Sequence, residues 1–224
     1  MQIESGADIL DINLGMPGIS EKDKMVDIIK EIQSVFDTPL QIDSMKGDVI
    51  EQAVRYYNGR PIINSVNGKK SSLDTILPIA KKYGALIIGL TLDESGLPKS
   101  CEERITIAER IIKEAKEYEI PEEYLIIDCL TLTASAEQEA VLDTLKAIKY
   151  LKKNYRVKTT LGASNISFGL PNRGILNNTF LAMALTYGLD APITDPTVPD
   201  LMDTINSFRV LSNIDKGCNN YIET

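Results

Sequence analysis

The stretch Thr160-Leu161-Gly162-Ala163-Ser164-Asn165-Ile166-Ser167-Phe168-Gly169-Leu170-Pro171-Asn172-Arg173 begins as a β-branched run, passes through a polar loop of Gly, Ser and Asn, and leads into a helix start. That order is the mark of a βα unit. The same alternation recurs along the chain. Residues 7–14, 40–43, 62–65, 86–92, 125–130, 159–163 and 192–194 are short, apolar or β-branched, and flanked by turn residues, which predicts seven buried parallel strands. Between them, Val26, Ile29, Ile32 and Phe36, then Ile105, Ala108, Ile112 and Ala115, then Leu142, Leu145, Ile148 and Leu151 recur at helical spacing. Ser20 before Glu21, Ser71 with Ser72, and Ser100 predict helix starts.

Seven βα units with no linker or low-complexity tract predict a single α/β domain over residues 1–224. The closest regular form is the TIM-type (β/α)8 barrel, which needs eight strands, so the chain is expected to lack the first βα unit. Residues 1–6 read as the last turn of a helix with Gly6 as its stop, and an upstream unit of roughly 30–40 residues is the corresponding expectation. An open doubly wound sheet is the competing architecture. Its glycine-rich phosphate fingerprint is missing from this sequence.

Composition narrows the chemistry. The 224 residues, 43% of them hydrophobic, suffice for one large core, and a net charge of −8 disfavours nucleic acid and anionic membranes as partners. No apolar run reaches the roughly 20 residues of a bilayer span, and residues 1–20 lack the pattern of a secretory signal. A cytoplasmic location is expected. Cys101, Cys129 and Cys218 are too scattered for a disulfide framework or a CxxC metal spacing. The absence of histidine excludes imidazole bases, Ser-His nucleophiles and the common zinc sites, leaving carboxylates, amides and lysines.

In a parallel barrel, chemistry collects at the C-terminal ends of the strands. The polar residues there are Asp11 and Asn13; Asp43 and Ser44; Asn64, Ser65 and Asn67; Thr91 and Asp93; Asp128; Ser164 and Asn165; Thr194 and Asp195. Singly, each could be a turn former or cap. Together, Asp43, Asn64 and Asp128 directly end apolar strands and would converge in one mouth. A buried carboxylate accepts a pair of N–H bonds, which suits the aminopyrimidine edge of a pterin, while an asparagine offers donor and acceptor together. No metal is required by such a site.

The motifs Ala7-Asp8-Ile9-Leu10-Asp11-Ile12-Asn13-Leu14-Gly15, Ile42-Asp43-Ser44, Ile63-Asn64-Ser65, Ile127-Asp128 and residues 162–173 follow one another in an order that resembles the pterin-binding corrinoid methyltransferases. These include the folate domain of cobalamin-dependent methionine synthase and methyltetrahydrofolate:corrinoid/iron-sulfur-protein methyltransferase. The resemblance implies that Asp43, Asn64 and Asp128 hold the pterin and that Asn165 lies near the methyl-bearing N5. Gly162, Ser164 and Arg173 would line the same mouth, with Ser65, Asp11 and Asn13 as further binding residues.

The implied reaction moves the N5 methyl of methyltetrahydrofolate to a cob(I)amide, the cobalamin or other corrinoid being carried by a partner protein. A homodimer is implied as well. Without histidine, Asn165 and ordered water are expected to stabilise the protonated N5. Two alternatives stay open. Dihydropteroate synthase shares the pterin site but carries Ser-Arg-Lys where this chain has Ser164-Asn165-Ile166, and a histidine at its last strand where this chain has Ile193-Thr194-Asp195. The other is a non-catalytic folate-binding subunit.

Overall fold

The computed structural model describes residues 1–15 and 20–222. Seven strands form one parallel sheet: β1 (Leu10–Asn13), β2 (Leu40–Asp43), β3 (Ile62–Asn67), β4 (Leu86–Leu90), β5 (Leu125–Asp128), β6 (Lys158–Gly162) and β7 (Ala191–Ile193). They pair in the order β1-β2-β3-β4-β5-β6-β7. A doubly wound sheet reverses its strand order part-way, so this order identifies a partial (β/α)8 barrel. Among the described residues, β1 and β7 each keep one free edge.

The helices on the outer face are α1 (Glu21–Gln33), α2 (Gly47–Tyr56), α3 (Lys70–Tyr83), α4 (Cys101–Glu117), α5 (Glu139–Asn154), α6 (Arg173–Tyr187) and α7 (Pro199–Leu211), with a short α8 (Asn219–Ile222) at the end. None of the described helices is long and apolar enough to cross a membrane.

Side chains alternate across each strand, and the two faces are unlike. Leu40, Ile42, Ile63, Ile87, Leu125, Ile127 and Leu161 face the helices and are fully buried. Their neighbours Asp11, Asn13, Asp43, Asn64 and Asp128 face the lumen and are exposed or half-buried. The hydrophobic core therefore lies between sheet and helices. At roughly 1.5–3 kcal/mol for each fully buried aliphatic side chain, that layer carries the fold and leaves the lumen free to be polar.

Several sequence expectations shift in detail. Strand β1 starts only at Leu10, β4 stops at Leu90 and β5 at Asp128, because the residues beyond turn into loops. Phe36 lies past the end of α1, and Leu142 sits in α5 but is half exposed. Ser100 caps α4 by accepting from the Glu103 N–H at 3.2 Å. The Ser20 hydroxyl instead reaches the Asp23 carboxylate, and Ser71 and Ser72 fall inside α3, whose Ser72 hydroxyl accepts from the Asn67 N–H at 3.1 Å. Residues 1–6 make a turn that ends at Gly6, whose φ of 95° favours glycine.

One charge lies inside this core. Arg104 of α4 is fully buried; its Nε donates to the Cys129 carbonyl and its Nη1 to the Ser100 carbonyl, each at 3.0 Å. The first bond ties α4 to the peptide just past Asp128. Arg104→Ala should lower the unfolding free energy by about 2–5 kcal/mol, through the cavity and the orphaned Cys129 carbonyl. Urea denaturation would measure it, and a loss below about 1 kcal/mol would contradict this account.

Candidate pterin site

The lumen-side ends of β1, β2 and β3 form one polar patch. Asn13 pairs with Asp43 and Asp43 with Asn64 in the sheet register. The Asn13 Nδ2 donates to Asp43 Oδ2 at 2.8 Å, and its Oδ1 accepts from the Gly15 N–H at 2.9 Å. One step deeper, Gln41 donates its amide to Asp11. Asn13 and Gln41 thus act as amide supports for two carboxylates. Burial raises the pKa of Asp11, helped by the nearby Asp43, with the amides of Gln41 and Asn64 acting against it. Burial likewise raises Asp43, against the bond from Asn13 and with a smaller push from Glu21.

Asp128 faces the same lumen from β5. Its carboxylate accepts from the Leu130 N–H at 2.8 Å, which holds Leu130 at a positive φ of 57°. Burial raises its pKa from the ordinary 3.8 to about 6. Ser65 is the extra residue of a bulge between Asn64 and Val66, half-buried beside the patch.

The turn after β6 completes the rim. A 3-10 turn spans Ala163–Ser167, and Asn165 on it is exposed, with no side-chain hydrogen bond to a described residue. Gly162 lies directly beneath it. A Cβ added there would sit 2.9 Å from Asn165 Nδ2, so the glycine is what lets this amide lie close over the strand end. Arg173 is taken up by the turn itself. Its Nε donates to Ser167 Oγ at 2.9 Å, its Nη2 to the Ser164 carbonyl at 3.1 Å, and its guanidinium stacks 4.6 Å from the Phe168 ring centre.

Four other strand-end residues are engaged within the protein. Asp93 accepts from the Ser95 N–H at 2.9 Å and meets Arg110 at 3.4 Å. Asp195 accepts from the Thr197 N–H and hydroxyl, Asn67 from the Lys69 N–H, and Ser44 pairs with Glu21 and Lys46. Gln41 belongs to this polar patch through its bond to Asp11, and strand-end reading missed it. Its period-two spacing from Asp43 was the available signal.

The sequence model described as pterin binding enzyme matches residues 1–195. The chain belongs to the pterin-binding enzyme family. It is 27% identical over 223 residues to the methylcorrinoid:tetrahydrofolate methyltransferase of Eubacterium limosum, covering 98% of this chain and 82% of that protein. It is 34% identical over 205 residues to the methionine synthase of Mycobacterium leprae, covering 86% of this chain but only 17% of that much longer protein. Among solved structures it resembles the dihydropteroate synthase of Stenotrophomonas maltophilia, with TM-score 0.74, 18% identity and coverage of 96% and 85%. The Xanthomonas albilineans dihydropteroate synthase bound to 7,8-dihydropteroate gives TM-score 0.73 at 19% identity, over 94% and 81% of the two chains. At such identities these two bear on the fold alone.

Two outcomes test the site's physical description. Because the folded pKa of Asp128 is raised, the folded state holds a proton between about pH 4 and 6 that the unfolded chain has released. Its stabilising contribution is complete below pH 4 and lost as pH rises through about 6. Asp128→Asn should therefore stabilise the protein at pH 8 by up to about 3 kcal/mol and little at pH 4, measured by urea unfolding. An equal effect at both pH values would refute it. Gly162→Ala should fold with a stability change under about 1 kcal/mol yet displace the Asn165 amide, visible as a shifted side-chain NH2 resonance. An unmoved resonance would refute the close approach.

Proposed function

We propose that the protein is a methyltransferase that moves a methyl group between N5 of a folate and the cobalt of a corrinoid carried by a separate protein or domain. The observation that carries this reading is a lumen lined by Asp43, Asn64 and Asp128, with Asn165 above it, in a chain of the pterin-binding family. Asp128 and Asp43 supply acceptors for the N–H groups of the 2-aminopyrimidine edge, and the Asn64 amide matches a ring nitrogen and the carbonyl together. Asn165, exposed and with no side-chain hydrogen bond to a described residue, is placed to meet N5.

The transfer is a displacement at the methyl carbon. Cobalt(I) supplies the electron pair, the carbon–N5 bond breaks with its pair going to nitrogen, and the products are a methylcobamide and tetrahydrofolate. A neutral tertiary amine leaves poorly, so N5 takes a proton before or during the displacement. The Asn165 amide oxygen accepts a hydrogen bond from the protonated N5, and water delivers the proton. The name of the Eubacterium relative writes the transfer from methylcorrinoid to tetrahydrofolate. By microscopic reversibility the same groups serve both directions.

Dihydropteroate synthesis is the competing reading, since solved dihydropteroate synthases share the fold. Against it stand Asn165-Ile166 in place of Arg-Lys after Ser164, and the absence of histidine. Ile175 and Met183 on α6 and Leu211 at the end of α7 are exposed apolar side chains of the kind a homodimer would cover.

The test uses methyltetrahydrofolate with cob(I)alamin, followed by loss of the cob(I)alamin spectrum. Asn165→Ala should transfer methyl more than about tenfold more slowly while binding methyltetrahydrofolate measurably. Undiminished transfer would remove Asn165 from the mechanism. Turnover of a dihydropterin pyrophosphate with p-aminobenzoate would overturn the whole reading.

A further inference from the structure

We infer that Thr133 and Ser135 form a hydroxyl latch that holds the Asn165 turn in register with Asp128, and that both are positioning residues of the transfer site. The inference rests on the reading of Asn165 given above. It starts from what does not hold Asn165. With no side-chain hydrogen bond to a described residue, the amide is aimed only by the backbone of a five-residue 3-10 turn. At the end of that turn the Phe168 N–H reaches the Asn165 carbonyl at 3.4 Å, the Ser167 hydroxyl donates to the Ser164 carbonyl at 3.3 Å, and 3-10 turns have poorer hydrogen-bond geometry than α-helices.

Two outside groups fix it. Arg173 grips Ser164 and Ser167 from the helix that follows, within the same βα unit. The other grip comes from the neighbouring unit, from the loop that leaves β5 just after Asp128. There the Ala134 N–H donates to the Ile166 carbonyl at 2.9 Å. The Thr133 hydroxyl lies 2.7 Å and the Ser135 hydroxyl 2.9 Å from the Phe168 carbonyl, and the two hydroxyls lie 3.0 Å apart. Each has a single proton, so at any moment one donates to the carbonyl while the other donates to the carbonyl or to its partner.

The loop is itself anchored near its origin. Leu130 is held by its N–H to Asp128, and its carbonyl accepts from the buried Thr144 hydroxyl at 3.0 Å. A chain of bonds therefore runs from the Asp128 carboxylate through Leu130 and the loop to the Ile166 and Phe168 carbonyls, which follow Asn165 on the turn. Asp128 would bind one edge of the pterin and Asn165 would meet N5 on the neighbouring ring. Their separation has to match the ligand, and a misplacement on the order of 1 Å can cost about 100-fold in rate. The latch sets that separation.

The test is Thr133→Val/Ser135→Ala, with Thr133→Ser as the conservative control. The double variant should transfer methyl about tenfold more slowly, bind methyltetrahydrofolate within about twofold of the unaltered protein, and lose nothing further when Asn165→Ala is added. Amide hydrogen exchange should accelerate at residues 164–169 and stay unchanged at residues 125–128, and Thr133→Ser should behave like the unaltered protein. Unchanged exchange at 164–169 overturns the latch, as does a loss of folate affinity that matches the loss of rate. So does a rate loss that multiplies with that of Asn165→Ala. Full-rate transfer by Asn165→Ala alone defeats the reading of Asn165 and the positioning role with it; that failure is separate from a failure of the latch, which the exchange measurement reads directly.

Discussion

The site depends on carboxylates held in a lumen without a matching cation. Among the described residues, no lysine or arginine figures among the groups that perturb Asp11, Asp43 or Asp128, and burial raises all three. Burying an ionised carboxylate is costly unless hydrogen bonds replace its water. Here neutral donors do so in part: Gln41 for Asp11, Asn13 for Asp43, and the Leu130 N–H for Asp128. Each acid keeps spare acceptor capacity facing the lumen. A ligand edge rich in N–H groups completes these bonds, whereas an anionic ligand would add like charge. On the proposed reading, the stability given up at these positions makes the site selective for donors.

The parallel sheet makes that arrangement possible by separating two tasks at adjacent positions. In Ile42-Asp43, Ile63-Asn64 and Ile127-Asp128 the apolar residue is fully buried against the helices and the polar one faces the lumen. A one-residue slip in register would send each polar side chain into the hydrophobic layer, so the pairing that builds the core also aims the site. Because all strands run the same way, their C-terminal ends lie together, and residues more than 100 positions apart line one opening.

This division explains what could be read from the sequence. An apolar run broken by one polar residue at its end is visible without a structure, so Asp43, Asn64 and Asp128 were legible, as was the order of βα units. Strand limits were not, because residues 7–9 and 129–130 have strand-like composition while their backbones are shaped by neighbouring loops and, at Leu130, by a bond back to Asp128. The Arg173 contacts were hidden for a related reason. Sequence places it next to the site, and only the fold reveals that its guanidinium is taken up by Ser164, Ser167 and Phe168. Likewise the close approach of Asn165 to Gly162 is a property of the 3-10 turn, which no periodicity announces.

On the proposed reading, the use of an amide at the reacting nitrogen has its own consequence. An imidazole would change charge near neutral pH, so its hydrogen bond to N5 would be donor or acceptor according to pH. An asparagine amide keeps both faces at every pH in which the protein is folded: its oxygen accepts from a protonated N5, and its NH2 can donate to an unprotonated one. A group with that indifference cannot deliver the proton, which leaves water as the carrier and the amide as the fixed reference. It also makes the site symmetric in time, since the same side chain serves N5 before and after methyl loss by rotating its amide plane. The nitrogen of that amide lies close over Gly162, where an added Cβ would sit 2.9 Å from it.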